Sequence, residues 1–230
     1  MTVKTHFNLT PEDYDRLRRG HLARRRTEWL AHVLARHERR RCSVVEIGAG
    51  TGGTLYALAM RFPQSQFVGV DIVPDMVKFA NEHYRRDNLR FEVRDIINEP
   101  LQNDMFDMAF SIDVLHHIHA LQRFCVAVQQ LMKRSGIWVA IEPNIFHPYI
   151  LFHQERMRRA GFDEDHFRPW RVEPVLRDAG FVVHSRRFAF AVPGWVDRVP
   201  APVARLERLF ERVRLFGGSI VYELRTGGLE

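Results

Sequence analysis

Two rhythms of apolar residues divide the chain. Before residue 42 they recur at helical spacing. Trp29 with Val33, and Leu30 with Leu34, share one face of a segment predicted as helix from His21 to about Glu38. A shorter helix is expected ahead of it, opened by Thr10-Pro11-Glu12-Asp13 and broken at Gly20. A hydroxyl cap, a first-turn proline and two acids suit the positive end of a helix dipole. From Cys42 the pattern changes to short apolar runs alternating with helical ones. Strands are expected at Ser43–Ile47, Gln66–Val70, Leu89–Arg94, Phe106–Ser111 and Gly136–Ile141. Helices are expected at Thr54–Phe62, from Pro74 to about Arg85, and at Leu121–Met132. Such alternation implies a doubly wound α/β fold, a mostly parallel sheet covered on both faces. The tail reads as helix Val172–Ala179, strand Phe181–Arg186, helix Val203–Val213 and a last strand Ser219–Arg225. Weak periodicity between Glu142 and Arg171 marks an insert at about 143–170.

The candidate chemistry sits where strands end. Val44-Val45-Glu46-Ile47-Gly48-Ala49-Gly50-Thr51-Gly52-Gly53 puts a glycine turn between the first strand and the next helix. Open α/β sheets bind ligands at that place, and a helix N-terminus there offers unpaired N–H groups to a negative group. Gly48, Gly50 and Gly53 also satisfy G-x-G-x-x-G, which fits dinucleotide binders as well. Two features favour a different ligand. Glu46, two residues before Gly48, suits an ammonium group and not a pyrophosphate. Asp71 ends the second strand, placed to accept from ribose hydroxyls, and Asp95 follows the third, placed for an adenine amino group.

On these residues the chain resembles the class I S-adenosylmethionine-dependent methyltransferases, clearly over about residues 40–142 and more loosely to the C-terminus. The matching stretches are Glu46-Ile47-Gly48-Ala49-Gly50-Thr51-Gly52, Gly69-Val70-Asp71-Ile72, Arg94-Asp95-Ile96, and Phe106-Asp107 leading into Ser111-Ile112-Asp113-Val114-Leu115-His116-His117-Ile118. The resemblance implies a Rossmann-like seven-stranded sheet whose last strand is antiparallel. It also implies S-adenosylmethionine as methyl donor. Glu46, Gly48 and Gly50 would then hold the methionine part, Asp71 the ribose, and Asp95 with Ile96 the adenine, with Thr51, Ile72 and Met76 as further cofactor contacts. Ser111 and Asp113 would lie near the donor. His116 and His117 are candidate general bases for a hydroxyl or amine acceptor, or residues that only shape the pocket.

Methyl transfer asks mainly for placement and exclusion of water, because the donor's positive sulfur is already activated. The acceptor pocket is therefore expected from the variable parts. These are residues 1–41, read as a helical lid with Tyr14 closing over the donor, and the aromatic-rich stretch Glu142–His153, read as a cap or a core helix. Arg156, Arg158, Arg159, Arg168 and Arg171 read as a solvated face or as partners for a substrate anion. Glu142-Pro143-Asn144 and Phe216-Gly217-Gly218-Ser219 are similar to stretches in a subset of these enzymes found with sugar and glycolipid assembly. The expected acceptor is a small molecule, acidic or amphiphilic: a sugar, a glycolipid or a natural-product intermediate.

Composition narrows the classes. A chain of 230 residues with 46% hydrophobic content suits one α/β domain, residues 42–230, behind the N-terminal segment. No run of ~18 apolar residues offers a membrane span, and Met1–His6 has no secretory h-region. Cys42 and Cys125, read as buried thiols, fit a reduced cytoplasmic setting. The net charge of +6 lies wholly in residues 1–41, with 11 Lys/Arg against 5 Asp/Glu, while the remainder holds 23 of each. That argues against a basic nucleic-acid face over the domain. It leaves a solvated helix face, or attraction of an acidic acceptor. A nucleotide-cofactor oxidoreductase remains an alternative, though Glu46 and Asp95 would lack a purpose in it. An RNA or protein methyltransferase remains another, without the Asn-Pro-Pro-Tyr-type tetrapeptide such enzymes often carry.

Overall fold

The computed structural model describes residues 10–37, 41–99, 105–159, 167–194 and 196–227. Parts of the expected lid (1–9 and 38–40) and of the expected insert (160–166) lie outside the described residues.

Seven strands form one sheet in the order β3-β2-β1-β4-β5-β7-β6. They are β1 (Ser43–Ile47), β2 (Gln66–Asp71), β3 (Leu89–Val93), β4 (Phe106–Ile112), β5 (Met132–Pro143), β6 (Phe181–Ala189) and β7 (Ser219–Thr226). The first five pair in parallel, whereas β7 runs antiparallel between β5 and β6. The expected seven strands and antiparallel last strand are therefore present. Strand β1 shows why the fold forms as it does. Its residues Val44, Val45, Glu46 and Ile47 are all buried, as a central strand covered on both faces requires.

Helices α3 (Gly53–Arg61), α4 (Pro74–His83), α5 (Leu121–Leu131) and α7 (Pro169–Asp178) fill the crossovers, close to their expected bounds. Helix α7 opens three residues earlier than expected, with Pro169 in its first turn. Strand β5 starts four residues before Gly136. The polar run Lys133-Arg134-Ser135, between the expected helix and strand, continues the strand through an irregular register opposite β4, with Ser135 at φ 64°. Within the weakly periodic insert, Pro148–Arg159 forms helix α6. The expected helix Val203–Val213 lies earlier, as α8 (Ala201–Phe210), and turns follow it.

The N-terminal segment divides in two. Helix α1 spans Pro11–Leu17, capped by the Thr10 hydroxyl, which accepts from Asp13 N–H at 3.2 Å. Helix α2 spans His21–His37 and belongs to the core. Leu30, Ala31, Val33 and Leu34 are buried in one cluster with Val44, Leu55, Leu58 and Phe110. Trp29 packs edge-on against Phe190 at 5.9 Å between ring centres. Burying such side chains stabilises by about 1.5–3 kcal/mol each, so α2 is scaffold. The solvated-face reading holds for Arg24, which is exposed, but not for Arg25 and Arg26, which turn inward. Arg25 pairs with Glu207 and Glu211, Arg26 with Asp113, and Arg36 with Glu223. The acids come from parts of the chain far away in sequence, so the local charge run concealed them. Cys42 and Cys125 are both buried, as expected.

Candidate active site

Strand β1 ends at Ile47, and the chain turns sharply through the glycines. Gly48 and Ala49 both donate to the Val70 carbonyl, at 2.9 and 3.0 Å. Gly48 and Gly50 have φ of 75° and 53°, in the left-handed region that favours glycine. Gly50 N–H donates to Asp71 Oδ2 at 2.7 Å, and Val73 N–H donates to Oδ1 at 2.9 Å. Burial pushes the Asp71 carboxyl up, against these backbone donors. Asp71 thus ties the glycine turn to the end of β2 while staying partly accessible. The fully buried Thr51 side and the left-handed Gly52 then lead into α3, whose first N–H groups face this end of the sheet.

Glu46 is the most unusual group here. It is 3% exposed, and its Oε2 has no hydrogen-bond partner among the described residues. Burial drives its carboxyl well above the ordinary range, the Arg18 charge opposes that, and Asp71 adds to it. A buried acceptor without a donor costs on the order of 1–3 kcal/mol, so such an atom asks for a ligand. A cationic group fits it, as the ammonium of an amino-acid moiety does.

Asp95 lies just beyond β3, and the neighbouring Arg94 N–H reaches the Asp71 carbonyl at 2.9 Å. The Asp95 oxygens accept from Ile97 N–H at 3.0 Å and the Asn98 amide at 2.6 Å. Ile96 is buried in the core, Ile72 is exposed and Met76 half-buried. Adjacent strand ends therefore bring Glu46, Gly48, Gly50, Asp71 and Asp95 to one edge of the sheet. Ser111 is placed differently. It is fully buried, and its hydroxyl accepts from the Trp138 indole at 3.2 Å.

Beyond β4, Asp113 adopts φ 56°, an uncommon conformation that Asp tolerates better than most residues. Arg26 grips its carboxylate with two bonds of 2.7 and 3.0 Å, and Arg18 adds one of 3.1 Å. Burial alone would raise Asp113, but Arg26 and Arg18 overcome it and hold it well below the usual carboxylate range. Arg18 also donates to the Tyr14 hydroxyl at 2.8 Å. On the other side of α1, Tyr84 donates to Asp15 Oδ1 at 2.7 Å. Helix α1 is thereby pinned across the glycine turn.

The short 3-10 turn Leu115–His117 follows. His116 is buried, and its Nδ1 lies 2.7 Å from Glu142 Oε2. The other Glu142 oxygen accepts from Val114 and Leu115 N–H, at 3.0 and 2.8 Å. This orients the ring and supplies a counter-charge for an imidazolium. His117 stands beside it, ring centres 3.9 Å apart. Of the site residues, sequence reading named Glu142 only within a motif and did not single out Arg18. An acid at the end of β5 was a visible signal for the first, and nothing local marks the second. Asn144 donates to the Arg214 and Gly217 carbonyls at 2.7 and 2.6 Å. It thus joins the two motifs that resembled glycolipid-associated enzymes.

A methyltransferase-domain family model matches residues 38–168. The malonyl-[acyl-carrier protein] O-methyltransferase of Acetivibrio thermocellus is 23% identical over 135 residues, 59% of this chain and 47% of that protein. The chain thus spans about half the length of that relative. The juvenile hormone acid O-methyltransferase of Drosophila melanogaster is 31% identical over 194 residues, 73% of this chain and 65% of that protein. Among solved structures, the N-methyltransferase NodS of Bradyrhizobium japonicum, in complex with S-adenosylhomocysteine, superposes with a TM-score of 0.63 at 15% identity. The match covers 92% of this chain and 90% of that one. With a carboxylate, a glycine turn and two further acids on successive strand ends of a 3-2-1-4-5-7-6 sheet, the chain belongs to the class I S-adenosylmethionine-dependent methyltransferase family.

Proposed function

We propose that this chain transfers the methyl group of S-adenosylmethionine to an oxygen of a small amphiphilic acceptor. One observation carries the donor assignment: the buried Glu46 Oε2, without a partner, beside the glycine turn. Glu46 and the turn would hold the methionine part, Asp71 the ribose and Asp95 the adenine. The donor supplies an activated methyl on a positive sulfur, and the chain's own residues supply position and dryness. Helix α1 is the lid: Tyr14 covers Gly50, and Arg18 latches onto Asp113.

An oxygen acceptor is supported by the two curated relatives, both named as O-methyltransferases, one acting on an acid. It is supported further by the His116–Glu142 pair. With a hydroxyl acceptor, His116 takes the proton and Glu142 stabilises the charged ring. With a carboxylate acceptor no proton need be removed, and the pair only shapes the pocket.

Titration calorimetry with S-adenosylhomocysteine, and with NAD as control, tests the donor assignment. Saturable binding of the first alone is expected, weakened at least about tenfold by Asp71→Ala, since each hydrogen bond to a charged group is worth about 1.5–3 kcal/mol. Binding of NAD instead, or unchanged affinity in a folded Asp71→Ala protein, would overturn it.

A further inference from the structure

Helix α8 is built inside out. Its two-turn neighbourhood holds two acids, Glu207 and Glu211, and both are turned inward, 5% and 7% exposed. Glu207 pairs with His21 and Arg25 at 2.8 and 2.7 Å and accepts from Val192 N–H at 3.2 Å. Glu211 pairs with Arg25 at 3.0 Å and accepts from Phe190 N–H at 3.0 Å. The apolar residues face the other way. Val203, Leu206 and Phe210 recur at i, i+3 and i+7, with Leu209 beside them, and all four are 47–65% exposed. The following turns add Val213, Leu215 and Phe216, each about half exposed. Arg205, Arg208, Arg212 and Arg214 are exposed along the same segment. Among the described residues, Arg205, Arg208 and Arg212 pair with no acid.

A water-facing helix normally shows its charges and hides its leucines. Here the acids are spent internally, and the outer face is apolar and cationic. We propose that residues 201–216 dock this protein peripherally on a bilayer containing anionic phospholipid. Three features select that occupant. The charge is complementary to anionic headgroups, and one-signed. The surface is a helix ridge, which sinks into a soft interface with its apolar stripe down and its arginines at headgroup level. A second copy would set four arginines against four, which opposes self-association. No helix among the described residues is long and apolar enough to cross a membrane, so the contact is peripheral. The edge also adjoins the chain after β5. Asn144 holds the Arg214 and Gly217 carbonyls, and the Arg214 guanidinium lies 3.5 Å from the centre of the Phe146 ring.

Co-sedimentation with vesicles tests the docking. Vesicles of phosphatidylcholine alone are compared with vesicles holding about 30% phosphatidylglycerol, at low and high salt. Partition onto the anionic vesicles is expected to be at least about tenfold stronger, and to weaken as salt rises. Arg205→Gln/Arg208→Gln/Arg212→Gln should lose the preference for anionic lipid. Leu206→Ser/Leu209→Ser should lose binding altogether at unchanged melting temperature, because both side chains point away from the core. Equal binding to both vesicles, no binding, or binding untouched by either variant would overturn the proposal. Concentration-dependent dimerisation abolished by Leu209→Glu, or capture of an acidic carrier protein, without vesicle binding would overturn it in favour of that partner.

Discussion

The Tyr14 ring lies against the backbone of Gly50. A Cβ built on that glycine would come within 3.1 Å of Tyr14 Cε1. Lid and turn therefore share one space. Gly50→Val should abolish binding of S-adenosylhomocysteine and also cost stability, by roughly 1–2 kcal/mol, because φ is 53° there. The glycine is thus more than a gap for ligand. Calorimetry and thermal melting check both parts, and normal donor affinity in this variant would sink the donor-site reading.

Helix α1 should open and close independently of α2. Hydrogen exchange over residues 10–19 is expected to slow when S-adenosylhomocysteine binds, while Leu30–Leu34 stays protected in both states. Equal exchange of residues 10–19 with and without ligand, together with full donor affinity after Tyr14→Ala, would make α1 mere scaffold.

Glu46→Gln should separate binding from stability. The carboxyl of Glu46 is held above its unfolded pKa, so its ionisation opposes folding as pH rises from that unfolded value through the folded one. The glutamine variant should therefore melt higher than the parent at neutral and alkaline pH. It should nevertheless bind S-adenosylhomocysteine more weakly, having lost the charge that faces the ammonium. Parallel loss of stability and affinity would mean that Glu46 is an ordinary core acid.

Asp113 behaves in the opposite sense. Its folded pKa is depressed by Arg26 and Arg18, so its contribution is complete above the unfolded pKa near 3.9 and is lost as pH falls toward the folded value. Asp113→Asn should remove that acid dependence and cost about 3–5 kcal/mol, because Arg26 is left buried without its counter-charge. Denaturant titrations at neutral pH and at acid pH read both effects.

Glu142→Gln tests whether His116 moves a proton. With a hydroxyl acceptor, kcat should fall by about 10²-fold or more with KM little changed, and its pH dependence should shift. A rise in KM with kcat unchanged would leave the pair as a pocket wall.

Much of this architecture was legible in order along the chain. The strand–glycine turn–helix unit from Ser43 to Arg61 is a local pattern, and each of Glu46, Asp71 and Asp95 could be placed because a strand end is a local event. What stayed hidden depends on distance. Arg25 and Glu207 are separated by 182 residues, and Arg26 and Asp113 by 87. Arg25 and Arg26 therefore looked solvated like their exposed neighbour Arg24, although both are paired with distant acids. The apolar positions of Val203–Val213 show a helical period, but the period does not say which face turns inward. Glu207 and Glu211 decide that through partners on α2.

The pairs from α2 to Glu207, Glu211 and Glu223 also set an order of assembly. The arginines are synthesised 182 to 187 residues before their three acids. Until then α2 can form its turns but cannot settle with Arg25 neutralised. A nascent chain halted after β5 should bind cationic-segment chaperones or stay protease-sensitive around His21–His37, and become resistant once Glu223 has emerged. Strand β7, made long after α2, supplies the acid that holds Arg36 on it.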